Sequence, residues 1–390
     1  MDEHYNVVII GGGIAGVTAA EAARSQNSEI SICIISQETY LPYYRLRICE
    51  VIDNPSVKDS LLLHPEEWYQ ERNIHIYLNK TVFGVAPDNN EITLSDNSRV
   101  SYDSLIVASG SISFVPPIQG IGRPGVHTLW TMADALEVEA ILRDKKKVVV
   151  IGGGLLGLEA GYHFSRMGIA TTIVEKMPRL LSNQLDEAGS EIFMRRVRSC
   201  GVNVITSGDI VSIKGADESD DSPVTSVLLA DGSALEADLV LVSIGVRANS
   251  ELARLAGISV EKRIKTDNHM RTSIPNIFSA GDVAEPKNFW FGLWSVSRAQ
   301  GRVAGINAAG GDEVFELSTP PYVLNTMDTK VAVLGEQGML SEPQYELDVL
   351  MDTNSGNYRK LVYREGVFRG FILVGDTHEF SKLQKEIKKT

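Results

Sequence analysis

The chain has 390 residues, 43% apolar and 22% charged, so it is expected to fold as two or three globular domains rather than one core. Lys+Arg 37 against Asp+Glu 50 gives a net charge of −13, which argues against non-specific nucleic-acid binding, since that depends on phosphate neutralisation. No apolar run approaches the ~20 residues needed to span a bilayer. Three cysteines, Cys33, Cys49 and Cys200, make no C-x-x-C pair and no zinc spacing, so neither a disulfide framework nor a metal site is expected. With that sparse cysteine usage and an acidic start, Met1-Asp2-Glu3-His4, that lacks a basic leader, a cytoplasmic location is expected.

In chain order, a β-branched run over 5–10 leads into Gly11-Gly12-Gly13-Ile14-Ala15-Gly16, then a helix over 17–24 and a strand over 30–35. A strand follows over 105–108, announced by Tyr102-Asp103. The opening unit then recurs: a strand over 147–151, Gly152-Gly153-Gly154-Leu155-Leu156-Gly157, a helix over 158–167 and a strand over 170–175. The stretch 215–223 is acidic and turn-rich, a hairpin tip, and a strand over 239–242 follows Ala237-Asp238. The aromatic segment 289–295 precedes a helix over 296–309. Beyond about residue 316 come strands over 331–334, 358–363 and 368–374, and a last helix with Phe380, Leu383 and Ile387 on one stripe. Lys382, Lys385, Lys388 and Lys389 surround that stripe.

Strand, glycine turn, helix, strand is a βαβ unit, and each glycine of G-x-G-x-x-G has a task in it. The first permits the tight turn, the second lets backbone approach a pyrophosphate, and the third lets the helix lie close to the strand. The free N–H groups of the helix start then face the phosphates. Two such loops in one chain imply two bound dinucleotides. Glu175 ends the second strand of the second unit, where a carboxylate accepts from ribose hydroxyls and repels a 2′-phosphate, so NADH is expected over NADPH. At the equivalent place in the first unit stands Ser36, with Glu38 as the nearest acid.

Two further segments carry a resemblance. Ser273-Ile274-Pro275-Asn276-Ile277-Phe278-Ser279-Ala280-Gly281-Asp282 resembles the second FAD fingerprint of flavoprotein reductases, and the strand ending Ala108-Ser109-Gly110 resembles their Ala-Thr-Gly strand, with serine for threonine. With the two loops, these four ordered motifs make residues 5–315 resemble the pyridine-nucleotide–disulfide oxidoreductase superfamily. Tyr40-Leu41-Pro42-Tyr43-Tyr44-Arg45 and the C-terminal segments are similar to NADH:rubredoxin oxidoreductases and to the flavin module of nitrite reductases.

The resemblance implies an α/β fold of two Rossmann-like domains and a small C-terminal α+β domain, divided as 1–113 with 236–315 for FAD, 114–235 for NAD, and 316–390. It implies FAD contacts at Gly11, Gly13, Ile14, Ala15, Gly16, Glu38, Arg45, Val82, Ala108, Ser109, Gly110, Asp282, Trp294 and Ser295. NAD contacts are implied at Gly152, Gly154, Leu155, Leu156, Gly157, Glu159, Glu175 and Gly245. In catalytic roles, Arg45 is expected beside the flavin ring and Glu159 at the nicotinamide or paired with the flavin-side cation. The alternatives are a surface arginine packed over Tyr43 and Tyr44, and a solvated helix residue.

Disulfide reductases of the superfamily carry C-x4-C after the second strand; here 36–50 holds only Cys49. Electrons are therefore expected to leave without a thiol relay, from NADH through FAD to a small one-electron carrier, with rubredoxin the expected partner. A nitrite reductase flavin module, an NADH oxidase, and a redox sensor resembling apoptosis-inducing factors remain alternatives.

Overall fold

The computed structural model describes residues 3–316, 320–338 and 344–387. The first repeat builds a parallel sheet because its strands are apolar on both faces and need cover on both. Glu3–Ile10 lies between Ile32–Ile35 and Arg99–Val107; Ile74–Tyr77 extends one side, and Ile277–Ser279 closes against the end of Arg99–Val107. Arg99–Val107 begins earlier than its apolar core suggests, and Tyr102 and Asp103 lie within it. Its first half instead pairs antiparallel with the hairpin Val82–Ala86 and Glu91–Leu94.

Helices Ile14–Gln26 and Trp294–Ala308 cover this sheet together and approach each other through glycine. A Cβ at Gly301 would lie 2.2 Å from the Ala15 carbonyl oxygen, and one at Gly305 2.1 Å from that of Ala19. Only hydrogen fits at those two places.

The second repeat gives a five-stranded parallel sheet in the order Val202–Ile205, Ala170–Val174, Lys147–Ile151, Leu239–Val242, Val126–Thr128. Leu239–Val242 thus belongs to the second domain, which corrects the boundary set at 236. Four apolar residues after an aspartate fit the middle of either sheet, and nothing in the strand itself says which. The chain leaves and re-enters the first domain through an antiparallel ribbon, Ser111–Ser113 against Val246–Ala248. Strands Ile210–Gly215 and Val224–Leu229 form the hairpin around the acidic tip.

The C-terminal unit is a five-stranded antiparallel sheet, Tyr322–Thr326, Thr329–Gly335, Val367–Val374, Asn357–Arg364 and Tyr345–Asp352 in spatial order. One face shares a core with the second domain, where Leu324, Val333 and Ile372 meet Phe193 and Val197. The other takes helix Phe380–Ile387, with Leu383 buried against Phe371 and Leu373. Lys382 and Lys385 are exposed, while Lys388 and Lys389 lie outside the described residues. Among the described residues no helix is long and apolar enough to cross a membrane.

Candidate functional site

Both glycine loops behave as their sequences require. Gly11 and Gly152 have φ of +118° and +107°, a region that costs other residues strain, and a Cβ at either would strike the next strand's backbone. Gly13 and Gly154 have nothing within 4 Å of a would-be Cβ, so the backbone there is open to a ligand. At Gly16 and Gly157 a Cβ would lie 2.0 and 2.2 Å from the carbonyl oxygens of Gly11 and Gly152, which holds helix against loop. Helices Ile14–Gln26 and Leu155–Arg166 start with no side-chain cap, so their first N–H groups point outward unpaired. Open backbone and unpaired N–H groups are what a pyrophosphate needs. The residues fit a dinucleotide at each loop.

A cavity of about 810 Å3 runs from the first loop to the second. Of the positions expected at FAD, Gly11, Gly13, Ile14, Ala15, Glu38, Arg45, Val82, Ala108, Ser109, Gly110, Asp282 and Trp294 line it; Gly16 sits behind the loop. Leu155, Leu156, Glu159 and Gly245 line its far end, so the two dinucleotide units share one chamber. Gly152, Gly154, Gly157 and Glu175 form the second loop outside that wall. The Glu175 carboxylate accepts from Gly153 N and Met177 N, both at 2.7 Å.

The contact expected at Ser295 is through its backbone N–H, which lies in the first turn of helix Trp294–Ala308 beside the Trp294 that lines the cavity. Its side chain points elsewhere, exposed on the opposite side of the helix in a groove with Arg298 and Arg302, while Ser297 faces the cavity. The helix starts at Trp294, and at about 100° per residue the side chain three positions on, not the next one, returns to the same face.

Arg45 is about a quarter exposed and fully engaged, so it is not a surface arginine. Its guanidinium donates to Glu38 Oε1 at 2.6 Å and to the Trp130 carbonyl, and lies 5.3 Å from the ring centroids of Tyr43 and Trp130. Tyr43 donates to the other Glu38 oxygen at 2.6 Å and accepts from Met132 N. Asp282 accepts from Ser111 Oγ at 3.1 Å and Ser297 Oγ at 3.3 Å. Tyr44 stacks on Trp294 at 5.7 Å. Glu159 is mostly buried, and burial first, then the nearby Glu50 charge, pushes its carboxyl up to about 8.

Cys49 is buried behind the wall with Sγ toward the Leu156 carbonyl, and burial pushes its thiol up, away from the reactive thiolate. Trp130 and Asp134 line the cavity without having been anticipated. Their signal was Thr131-x-x-Asp134, a capping box before an apolar helix: Asp134 accepts from Trp130 N and Thr131 N.

Residues 5–301 match the family described as pyridine nucleotide-disulphide oxidoreductase, and residues 320–390 the rubredoxin NAD+ reductase C-terminal domain. The chain is 31% identical over 97% of its length to a nitrite reductase [NAD(P)H] of Bacillus subtilis, and spans about half of that relative, 47%. It is 28% identical to an NADH-rubredoxin oxidoreductase of Clostridium acetobutylicum, covering 98% of this chain and 94% of the relative. The crystal structure of a covalent putidaredoxin reductase–putidaredoxin complex superposes with a TM-score of 0.87 at 25% identity, covering 100% of this chain and 94% of that one. The chain belongs to the pyridine nucleotide-disulphide oxidoreductase family, oxidoreductases that use FAD and a nicotinamide dinucleotide.

Proposed function

We propose that the chain moves electrons from NADH, held at the loop beginning Gly152, to FAD, held at the loop beginning Gly11, and from there to a small one-electron carrier protein, rubredoxin. The observation that carries the last step is chemical: among the described residues no cysteine lines the cavity, and Cys49 is sealed behind it. The match of residues 320–390 and the Clostridium relative support rubredoxin as that carrier.

FAD supplies a two-electron acceptor that can be reoxidised one electron at a time. The protein's share is positioning and electrostatics. The unpaired N–H groups at Gly13–Ala15 and Gly154–Leu156 hold phosphates, and Asp282, aimed by Ser111 and Ser297, accepts from sugar hydroxyls. Arg45, fixed by Glu38 and Trp130, brings a positive charge to the cavity wall. Trp290 and Trp294 line the cavity, and Tyr44 stacks on Trp294 from outside that wall.

Anaerobic mixing of the holoprotein with NADH and then rubredoxin is expected to show fast flavin bleaching followed by fast reoxidation. Slow reoxidation by rubredoxin beside fast reoxidation by a nitrite-reducing partner would instead favour the nitrite reductase reading, which the Bacillus relative supports. At Glu175 the two dinucleotides are expected to separate. NADH should have the larger kcat/KM, and Glu175→Ala should lower it about tenfold or more, the equivalent of ~1–3 kcal/mol of charge-assisted hydrogen bonding. The same substitution should leave NADPH unchanged or improved; a wild-type preference for NADPH would exclude a ribose role for Glu175.

A further inference from the structure

Four carboxylates line the cavity, and three have partners. Glu38 holds Arg45 and Tyr43, Asp134 holds two backbone N–H groups, and Asp282 holds two serine hydroxyls. Glu159 has neither a hydrogen bond nor an ion pair among the described residues. It stands on helix Leu155–Arg166 where the chamber passes from one dinucleotide unit to the other.

Every nearby cation is committed elsewhere. From segment 45–53, Glu50 faces Glu159 and is held by Arg47 at 2.7 Å, Cys49 faces it as a neutral thiol, and Asp53 lies beyond. On Glu159's own helix, His163 Nδ1 is 3.0 Å and Arg166 Nε 3.5 Å from Asp53, and Tyr162 donates to Asp328. From the C-terminal sheet comes Tyr322, a phenol pushed up to about 12 by burial and then by the Glu159 charge. Strands Lys147–Ile151, Ala170–Val174 and Val202–Ile205, packed on the same helix, bring one titratable side chain, Lys147, which pairs with Glu236.

We propose that Glu159 is the proton store of the chamber, gaining a proton when negative charge enters and releasing it when the charge leaves. The inference rests on the reading that FAD occupies this cavity. As the electron pair of NADH arrives, the Glu159 carboxylate takes one proton from solvent and forms one O–H bond. The residue itself is neither oxidised nor reduced. Departure of the electrons to the carrier breaks that bond and returns the proton. The carboxyl's resting position near 8 places this exchange in the neutral-to-alkaline range, where added negative charge raises its proton affinity further.

The test is proton counting with the FAD-loaded protein, reduced by light under anaerobic conditions without NADH or carrier, in weak buffer with a pH indicator. Near pH 9, where the resting acid is mostly ionised, the wild type is expected to take up more protons per reduced flavin than Glu159→Gln, with an excess approaching one. At pH 8, where it is about half ionised, the excess should be at most about half a proton. Near pH 5, where the acid is already protonated, the two should agree. Infrared difference spectra of the wild type should show a protonated-carboxyl band growing on reduction, a readout that does not depend on the variant folding. Bound and reducible flavin with equal proton uptake, or no carboxyl band, overturns the inference alone. A preparation that takes up no FAD overturns the reading beneath it and the inference together.

Discussion

Gly301→Ala is expected to weaken the fold by about 3 kcal/mol and to strip FAD from the protein, although helix propensity alone predicts a gain of roughly 1 kcal/mol. The added carbon would sit 2.2 Å from the Ala15 carbonyl oxygen and 2.9 Å from its Cα, well inside van der Waals contact. Those are backbone atoms of the glycine loop's own helix, so no rotamer change relieves the clash. The two helices must part by about 1 Å, in a core packed too densely to absorb it. The separation moves function as well as stability. Gln300, beside Gly301, accepts from Gly281 N at 2.9 Å, and Ser297 on the same helix aims Asp282. Urea unfolding and flavin retention on gel filtration measure the two effects; an unchanged midpoint would mean that the helices do not meet at this glycine.

Lys360→Met is expected to cost a similar ~3 kcal/mol by a different route. Lys360 is 3% exposed and donates to Asp186 Oδ2 at 2.9 Å and to the Gly338 carbonyl at 2.8 Å. Asp186 also caps helix Glu187–Ser199 through Gly189 N and accepts from Tyr358 at 2.7 Å. Burial raises its carboxyl, but Lys360, Tyr358 and the cap more than offset that, and it ends below the ordinary carboxylate range. Removing the ammonium strands a half-buried carboxylate at the seam between the second domain and the C-terminal sheet. Adding Asp186→Asn should recover much of the loss. A depressed carboxyl contributes above its unfolded value and loses that contribution as pH falls through the folded one. The deficit of Lys360→Met should therefore hold constant from neutral pH to about 5 and shrink below about 4. Thermal melts across that range check both the size and the shape of the effect.

What the sequence revealed and what it hid follow from how local each determinant is. The glycine loops were legible because Gly11 and Gly152 need a backbone region closed to other residues, and Gly16 and Gly157 need the absence of a side chain. Asp282 was legible because a strand, a turn and an acid lie within ten residues. The sheet to which Leu239–Val242 belongs was not, because pairing with Lys147–Ile151 is decided by distant residues. Which side chain of helix Trp294–Ala308 would face the cavity was not legible without its exact start: Ser297 does, and Ser295 does not. Arg45 was singled out from its segment and lines the cavity, but its anchors Glu38 and Trp130 come together only when segments 38–45 and 130–134 are folded side by side. Glu159 was expected at the nicotinamide or opposite a flavin-side cation; that no cation among the described residues pairs with it follows from how Arg47 and Arg166 are shared among Glu50 and Asp53.

The ribbon Ser111–Ser113 and Val246–Ala248 makes the first domain discontinuous in the chain, and that has a consequence for synthesis. All five strands of the second sheet lie between residues 126 and 242, whereas the first sheet lacks Ile277–Ser279 and its helix lacks Trp294–Ala308 until much later. Domains of a growing chain ordinarily complete from the N-terminus onward. Here the order is reversed: the inserted domain can close while the earlier one still exposes the helix face that Gly301 and Gly305 will cover. All strands beside the nucleotide loop at Gly152 are thus made before the strand and helix that complete the sheet at Gly11, while the core that the second domain shares with Leu324, Val333 and Ile372 comes last of all.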